Sequence, residues 1–237
     1  MVELKKFTVF LDMDGVVVNW FKGFQKLFKD ELSPDEQTVL KEYFREHQFV
    51  ETCPLRSRHF WEDWKVRANW DDGKWWRDLE PLPWAKKLYD KFNEMAFVKE
   101  VAFLTSPGKD YTLCWEPKRL WLKKHIGTDK IICTPYKYLC AREDAILVDD
   151  TLKHCQQFYD AGGKAFLWPN QQKLLEFRAD QPPSWKWMDQ GFETVSDIEE
   201  GLMDRLLERI EFDLTIKAAA LNTSLENKLK LQNSHIK

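Results

Sequence analysis

The stretch VFLDMDG, running from Val9 to Gly15, closes an apolar run with two acids one residue apart, Asp12 and Asp14. A carboxylate at such a tip can attack phosphorus once a cation neutralises charge on both partners. Asp12, where the apolar run stops, is the candidate nucleophile. Asp14 can sit on the same side of the turn, so it is the candidate acid and base. It would protonate the leaving oxygen and later deprotonate the attacking water. Gly15 lets the chain turn sharply past a phosphate. Three further polar sets follow apolar runs: Thr105 and Ser106 after VAFL, Lys137 shortly after KIICT, and Asp149 and Asp150 after AILV. Brought together, four carboxylates would repel one another strongly. They need a cation, and a hard oxygen donor set suggests Mg²⁺. The cation and Lys137 would attract an anion, Thr105 and the Ser106 amide would hold its oxygens, and a phosphate is the natural guest. Lys137 and Thr105 would stabilise the charge that develops on it.

Only a particular scaffold brings those groups together. FTVFL (Phe7 to Leu11), EVAFLT, KIICT, DAILVDD and KAFLWP read as short buried strands, with KAFLWP the last. Between them lie helical patterns: a stretch from EPLPWAKKLYDKF to about Met95, EPKRLWLKKHIG with Gly127 as its stop, and TLKHCQQFYDA broken by Gly162 and Gly163. Strands alternating with helices predict a parallel sheet covered on both faces. Ligands of such sheets bind beyond the carboxyl ends of the strands, where the polar sets fall.

Between the first two strands the chain reads as a helical insertion, roughly Val18 to Leu79. One helix places Trp20, Phe24, Leu27 and Phe28 on one face. The next opens with Ser33 as N-cap, Pro34 at its first position and Glu36 closing a capping box. SRHFWEDWKVRANW makes a third. After Ser196 a second capping box, Ser196 with Glu199, leads into apolar residues at helical spacing from Leu202 to Leu229. That tail reads as helices packed on the domain, or alternatively as a homo-oligomerisation element.

The 237 residues are 43% hydrophobic, enough for one sizeable core, and carry 36 basic against 39 acidic side chains. The net charge of -3 lacks the basic footprint that a nucleic-acid polymer requires. No stretch is apolar and long enough to span a bilayer, and the N-terminal MVELKKFTVF does not read as a signal peptide. The five cysteines have no paired metal spacing and read as free thiols of a reducing compartment. A cytoplasmic protein is the expectation. The five histidines show no ligand spacing and receive no role. Of the twelve tryptophans, most read as core, while a few could line a flat, stackable ligand site.

DMDGVV, LTSP, a later lysine and LVDD, in this order, resemble the haloacid dehalogenase (HAD) superfamily of phosphotransferases. DMDGVVVNW, DLEPLPWA, LTSP, EPKRLWLKKHIG and ILVDD resemble, within it, the 5'(3')-deoxyribonucleotidases, which remove phosphate from deoxynucleoside monophosphates using Mg²⁺. The resemblance covers roughly Phe7 to Trp168. It implies a HAD-like Rossmannoid core over 1–17 and 80–195 and a helical cap over 18–79, with 196–237 left as a helical extension foreign to the family. It implies Asp12 as nucleophile and Asp14 as acid and base. The metal would be held by Asp12, the backbone carbonyl of Asp14 and Asp150, with Asp149 supporting that shell. Thr105 and Ser106 match the phosphate-binding strand end. Lys137 and Lys118 both match family lysines, and Lys137 is favoured for the catalytic one. Cap aromatics hold the base in this family; Trp20 matches one by its offset from Asp12 and Trp70 another by its offset from LEPLP, with Phe49 a looser match. Trp84 stands where the family has glycine, and Asn19 where it has an acid.

The expected partner is thus a nucleoside monophosphate, with no polymeric nucleic acid and no membrane. Two other readings stay open on the sequence. One is the same chemistry on another small phosphate ester or a nucleic-acid 3'-phosphate. The other is a non-catalytic scaffold that binds a partner through its C-terminal helices.

Overall fold

A computed structural model describes residues 6–45, 60–68, 73–107, 114–168, 186–187 and 208. Six strands form one sheet: β1 (Phe7–Leu11), β2 (Val98–Thr105), β3 (Ile131–Cys133), β4 (Ala145–Asp149), β5 (Lys164–Leu167) and β6 (Lys186–Trp187). Their order across the sheet is β3-β2-β1-β4-β5-β6. The first five are mutually parallel, and β6 joins β5 antiparallel. This is the doubly wound, Rossmannoid α/β arrangement, with β1 at its centre and the direction of winding reversing beside it. The sequence reading ends the sheet at KAFLWP. β6 adds an edge of two residues, too short to carry a period-two signal.

Alternate residues of each strand feed different layers, as the pleat requires. Phe7, Val9 and Leu11 of β1 share one core with Val101, Phe103, Ile146, Val148 and Phe166, and with Leu88, Phe92, Trp121 and Leu122 of helices α5 (Ala85–Glu94) and α6 (Trp115–His125). Phe10 turns the other way and packs with Leu104, Ala145, Leu147 and Ala165 against Cys155 and Phe158 of α7 (Leu152–Asp160). Both faces of β1 and β4 are therefore buried, which explains runs of apolar residues without alternation.

The insertion after β1 carries α1 (Trp20–Phe28), α2 (Pro34–Arg45), α3 (Phe60–Ala68) and the short α4 (Lys74–Arg77), the last not foreseen from the sequence. The expected capping box opens α2: Glu36 accepts from the Ser33 amide at 2.9 Å, and the Glu36 amide donates to Ser33 Oγ at 3.3 Å. The apolar face of α1 is wider than Trp20, Phe24, Leu27 and Phe28, since Phe21 and Gly23 are also buried. Phe21, Phe24, Phe28, Leu32 and Leu40 form a small core of their own. The chain enters and leaves the insertion side by side, where Val18 bridges both Asp14 and Pro81. Trp121 Nε1 donates to the Leu79 carbonyl at 2.7 Å, and Trp84 Nε1 to the Val16 carbonyl at 2.9 Å, fastening that junction to the core. Among the described residues, no helix is long and apolar enough to cross a membrane.

Candidate active site

The polar strand tips meet because the ladders run one residue past the strands. Asp12 N donates to the Val148 carbonyl at 2.9 Å, and Trp168 N to the Asp149 carbonyl at 2.8 Å. These bonds set Asp12, at the tip of β1, beside Asp149 and Asp150 at the tip of β4. On the other side, Leu11 pairs with Phe103, which brings Thr105 level with the same crevice. The chain after Asp12 then coils upon itself, with the Met13 carbonyl accepting from Val17 N at 2.9 Å and Val18 N at 2.8 Å. Gly15 lies in this coil at φ 84°. A β-carbon there would come within 2.1 Å of Asp150 Oδ2, so both the conformation and the closeness of Asp150 call for glycine.

Two buried lysines divide the acids between them. Lys137, on a 3₁₀ turn (Lys137–Cys140), places Nζ 2.7 Å from Asp12 Oδ1 and 2.6 Å from Asp149 Oδ2. Lys118, on α6, places Nζ 2.6 Å from Asp14 Oδ2, 2.9 Å from Thr105 Oγ1 and 3.1 Å from the Ser106 carbonyl. Burial alone would lower both ammonium pKa values. The charges of Asp14 beside Lys118, and of Asp12 and Asp149 beside Lys137, outweigh it and hold both lysines above their ordinary value.

The acids differ in how far they are satisfied. Asp149, fully buried, accepts from Lys137 and, through Oδ1, from Thr151 N at 2.8 Å, and His154 Nδ1 lies 3.2 and 3.3 Å from its two oxygens. Burial pushes Asp149 up, but Lys137 and His154 hold it well below the usual carboxylate range. Burial pushes Asp12 up to about 6, with the negative charges of Asp149 and Asp14 adding to it and Lys137 opposing. Asp150 is pushed well above the ordinary value by burial and then by Asp149 and Asp12. Among the described residues, Asp12 Oδ1 makes no hydrogen bond despite its ion pair with Lys137, and Asp14 Oδ1 makes none either; both atoms are shut off from solvent.

Carboxylate oxygens of Asp12, Asp149 and Asp150 lie within 4.8 Å of one another. The donor set is all oxygen, three acids gather around one lysine, and two of the acids are destabilised in the charged form. A hard divalent cation answers each of these features. Asp149 is already occupied on both oxygens, so Asp12 and Asp150 carry the open positions. Asp14, also expected near the metal, turns its carboxylate to Lys118.

Thr105 is buried at the end of β2, and Ser106 Oγ is buried without a hydrogen-bond partner among the described residues. Trp20 stacks on Phe24 with centroids 5.3 Å apart and meets the edges of Trp64 at 5.2 Å and Trp75 at 6.4 Å. Trp75 meets Trp76 at 4.8 Å, and Lys118 Nζ lies 4.7 Å from the centre of the Trp76 ring. An aromatic line thus connects the cap to the site. Phe49 and Trp70 lie outside the described residues, as does the tail from 196 apart from Glu208. Sequence reasoning missed His154, Trp75 and Trp76. The available signals were the position of His154 in the first turn of the helix after the acid pair, and the WW doublet just before DLEPLP.

No protein family and no curated protein matches the chain. Solved structures do. A HAD family hydrolase from Deinococcus radiodurans with bound phosphate and sodium is 14% identical, with a TM-score of 0.41 over 69% of this chain and 80% of its own. A HAD-hydrolase from Bacillus subtilis bound to magnesium is 13% identical, with a TM-score of 0.43 over 68% and 86%. The L-2-haloacid dehalogenase from Xanthobacter autotrophicus with chloropropionic acid covalently bound is 13% identical, with a TM-score of 0.43 over 68% and 76%.

Proposed function

We propose that the protein is a Mg²⁺-dependent phosphomonoesterase that hydrolyses deoxynucleoside or nucleoside monophosphates through a phosphoaspartate at Asp12. The observation that carries this reading is the state of Asp12: a buried carboxylate at the central strand tip with Lys137 2.7 Å away and two further acids at its side. Three acids gathered around one lysine leave negative charge that a purely structural site would not retain.

Asp12 attacks phosphorus, forming one oxygen–phosphorus bond as the ester oxygen–phosphorus bond breaks. Asp14 gives a proton to the departing nucleoside oxygen. It then takes one from the water that attacks the phosphoaspartate, and phosphate leaves with Asp12 restored. Lys118 holds Asp14 at one oxygen and leaves Oδ1 to carry that proton. Thr105, Ser106 and both lysines receive the phosphoryl oxygens, where developing charge meets fixed donors. Asp12, Asp150 and the Asp14 carbonyl would hold Mg²⁺, which when bound lowers the repulsion between the nucleophile and the phosphate.

The nucleotide part of the reading rests on the cap aromatics. Trp20 is only partly buried and stands at the end of a tryptophan line that reaches Lys118. A flat base suits such a surface. The resemblance to the deoxyribonucleotidases supports the same substrate, and the HAD hydrolases found with phosphate and with magnesium agree with its chemistry. The overall acidity argues for a small-molecule partner over a polymer. Phosphate release across all nucleoside monophosphates, sugar phosphates and a 3'-phosphorylated oligonucleotide, with Mg²⁺ and with EDTA, tests it. Turnover of nucleotides that EDTA abolishes is expected. Equal rates on sugar phosphates would remove the nucleotide assignment, and EDTA-resistant turnover the metal.

A further inference from the structure

We propose that His154 is a positioning residue: its Nδ1–H bridges the two oxygens of Asp149 and so keeps Lys137 directed at Asp12. The contact is geometric and specific. Nδ1 lies 3.3 Å from Oδ1 and 3.2 Å from Oδ2, which sets the plane of the carboxylate. Asp149, with Lys137 at 2.6 Å and Thr151 N at 2.8 Å, is an acceptor only, so Nδ1 supplies the proton.

Neither of the other two partners can fix that plane. Thr151 N meets one oxygen and Lys137 meets the other through a long, flexible stem. Rotation of a carboxylate about its last bond is broad in itself. Nor is His154 needed to start α7, because Thr151 already stands in the N-cap position and its carbonyl accepts from His154 N at 3.0 Å. What remains for the imidazole is orientation. The need is greatest midway through the reaction. Once Asp12 carries the phosphoryl group it is no longer a simple ion-pair partner, and Asp149 becomes the main anchor of Lys137. His154 is one-quarter exposed, so it reaches this buried pair from the rim.

The kinetic part of the inference rests on the phosphomonoesterase reading, and the spectroscopic part does not. The test compares wild type with His154→Ala, with His154→Asn, whose side-chain amide can donate from nearly the same place, and with Leu152→Ala, an exposed neighbour that controls for damage to α7. The first readout is the slowly exchanging Lys137 ammonium signal in ¹H–¹⁵N spectra of metal-free protein, assigned by its absence in Lys137→Met. It is expected to persist in wild type, Leu152→Ala and His154→Asn, and to broaden or vanish in His154→Ala. The second readout is steady-state kinetics. His154→Ala is expected to lower kcat about 10- to 100-fold, as loss of an outer-shell partner does, with KM within about twofold. His154→Asn is expected to recover most of that loss. An unchanged lysine signal in His154→Ala, or equal damage in His154→Asn, would overturn the inference. If wild type turns over no phosphate ester, the phosphomonoesterase reading fails, while the lysine spectra still decide what His154 holds.

Discussion

The strand tips and the cap lie against each other and are built on opposite principles. At the tips, charge is matched to charge over short distances: Lys137 to Asp12 and Asp149, and Lys118 to Asp14, with Thr105 Oγ1 accepting from the same ammonium. Each group hangs from a strand or helix whose place the sheet dictates. In the cap, Trp20, Trp64, Trp75 and Trp76 meet edge to face. Edge contacts between rings are worth little each and tolerate small shifts. Buried ion pairs are sensitive to removal of either partner. On the proposed function, the chemistry would be placed where the fold allows no latitude, and recognition where it allows some.

That contrast ranks the consequences of substitution. The largest is expected at Asp12. Asp12→Asn keeps the shape and removes the nucleophile, so phosphate release should fall by about 10⁴-fold or more, with no phosphoenzyme trapped by acid quench. Retained turnover would shift the chemistry away from β1. Next come the lysines. Replacing either by methionine removes a donor from the developing charge, which costs about 10²- to 10³-fold in kcat. Lys137→Met should also destabilise the fold by about 3–5 kcal/mol, because Asp12 is left buried without its counter-ion and Asp149 keeps only Thr151 N and His154. The double variant Lys137→Met, Asp149→Asn should regain a large part of that stability in urea melts while staying inactive. A double variant no more stable than the single one would mean that Lys137 is held by something other than its two acids.

Gly15→Ala falls between chemistry and packing. Its new methyl would meet Asp150 Oδ2 at 2.1 Å in a backbone conformation that alanine resists. Displacing Asp150 should raise the Mg²⁺ concentration needed for half-maximal rate by about 10- to 100-fold. Saturating Mg²⁺ should then restore much of kcat, and failure to do so would place Gly15 in the phosphate cradle and not at the metal.

What could be read beforehand divides along the same line. The strands of the sheet and the crevice at their tips were legible because apolar runs ending in acids, hydroxyls and a lysine have few other uses. That two lysines serve the site was legible only as a competition between Lys118 and Lys137. Their division of labour depends on contacts across 104 residues in one case and 12 in the other, which spacing cannot resolve. His154 gave no signal by ligand spacing, since its partner is a single acid five residues away across the turn from β4 to α7. The tryptophans were legible as a group, but which of them face one another was not, because edge-to-face packing follows from how helices cross and not from a period. β6 was hidden by its length.

The smallest effect is expected in the cap, and it separates the two regions most sharply. Trp20 meets Phe24, Trp64 and Trp75 at 5.2 to 6.4 Å and packs against the small core of Phe21, Phe24 and Phe28. Trp20 takes no part in the ion pairs of the strand tips, so Trp20→Ala is expected to leave those pairs in place. If the exposed part of its ring stacks on a base, the loss is that of one stacking contact, about 1–3 kcal/mol, seen as a higher KM for nucleotides. A small phosphate ester such as p-nitrophenyl phosphate touches only the tips, so its kcat/KM should hardly move. An equal loss on both substrates would make Trp20 a support of the site, not a reader of the base. The cap would then be one mechanical unit with the core, and the contrast between the two regions would not hold.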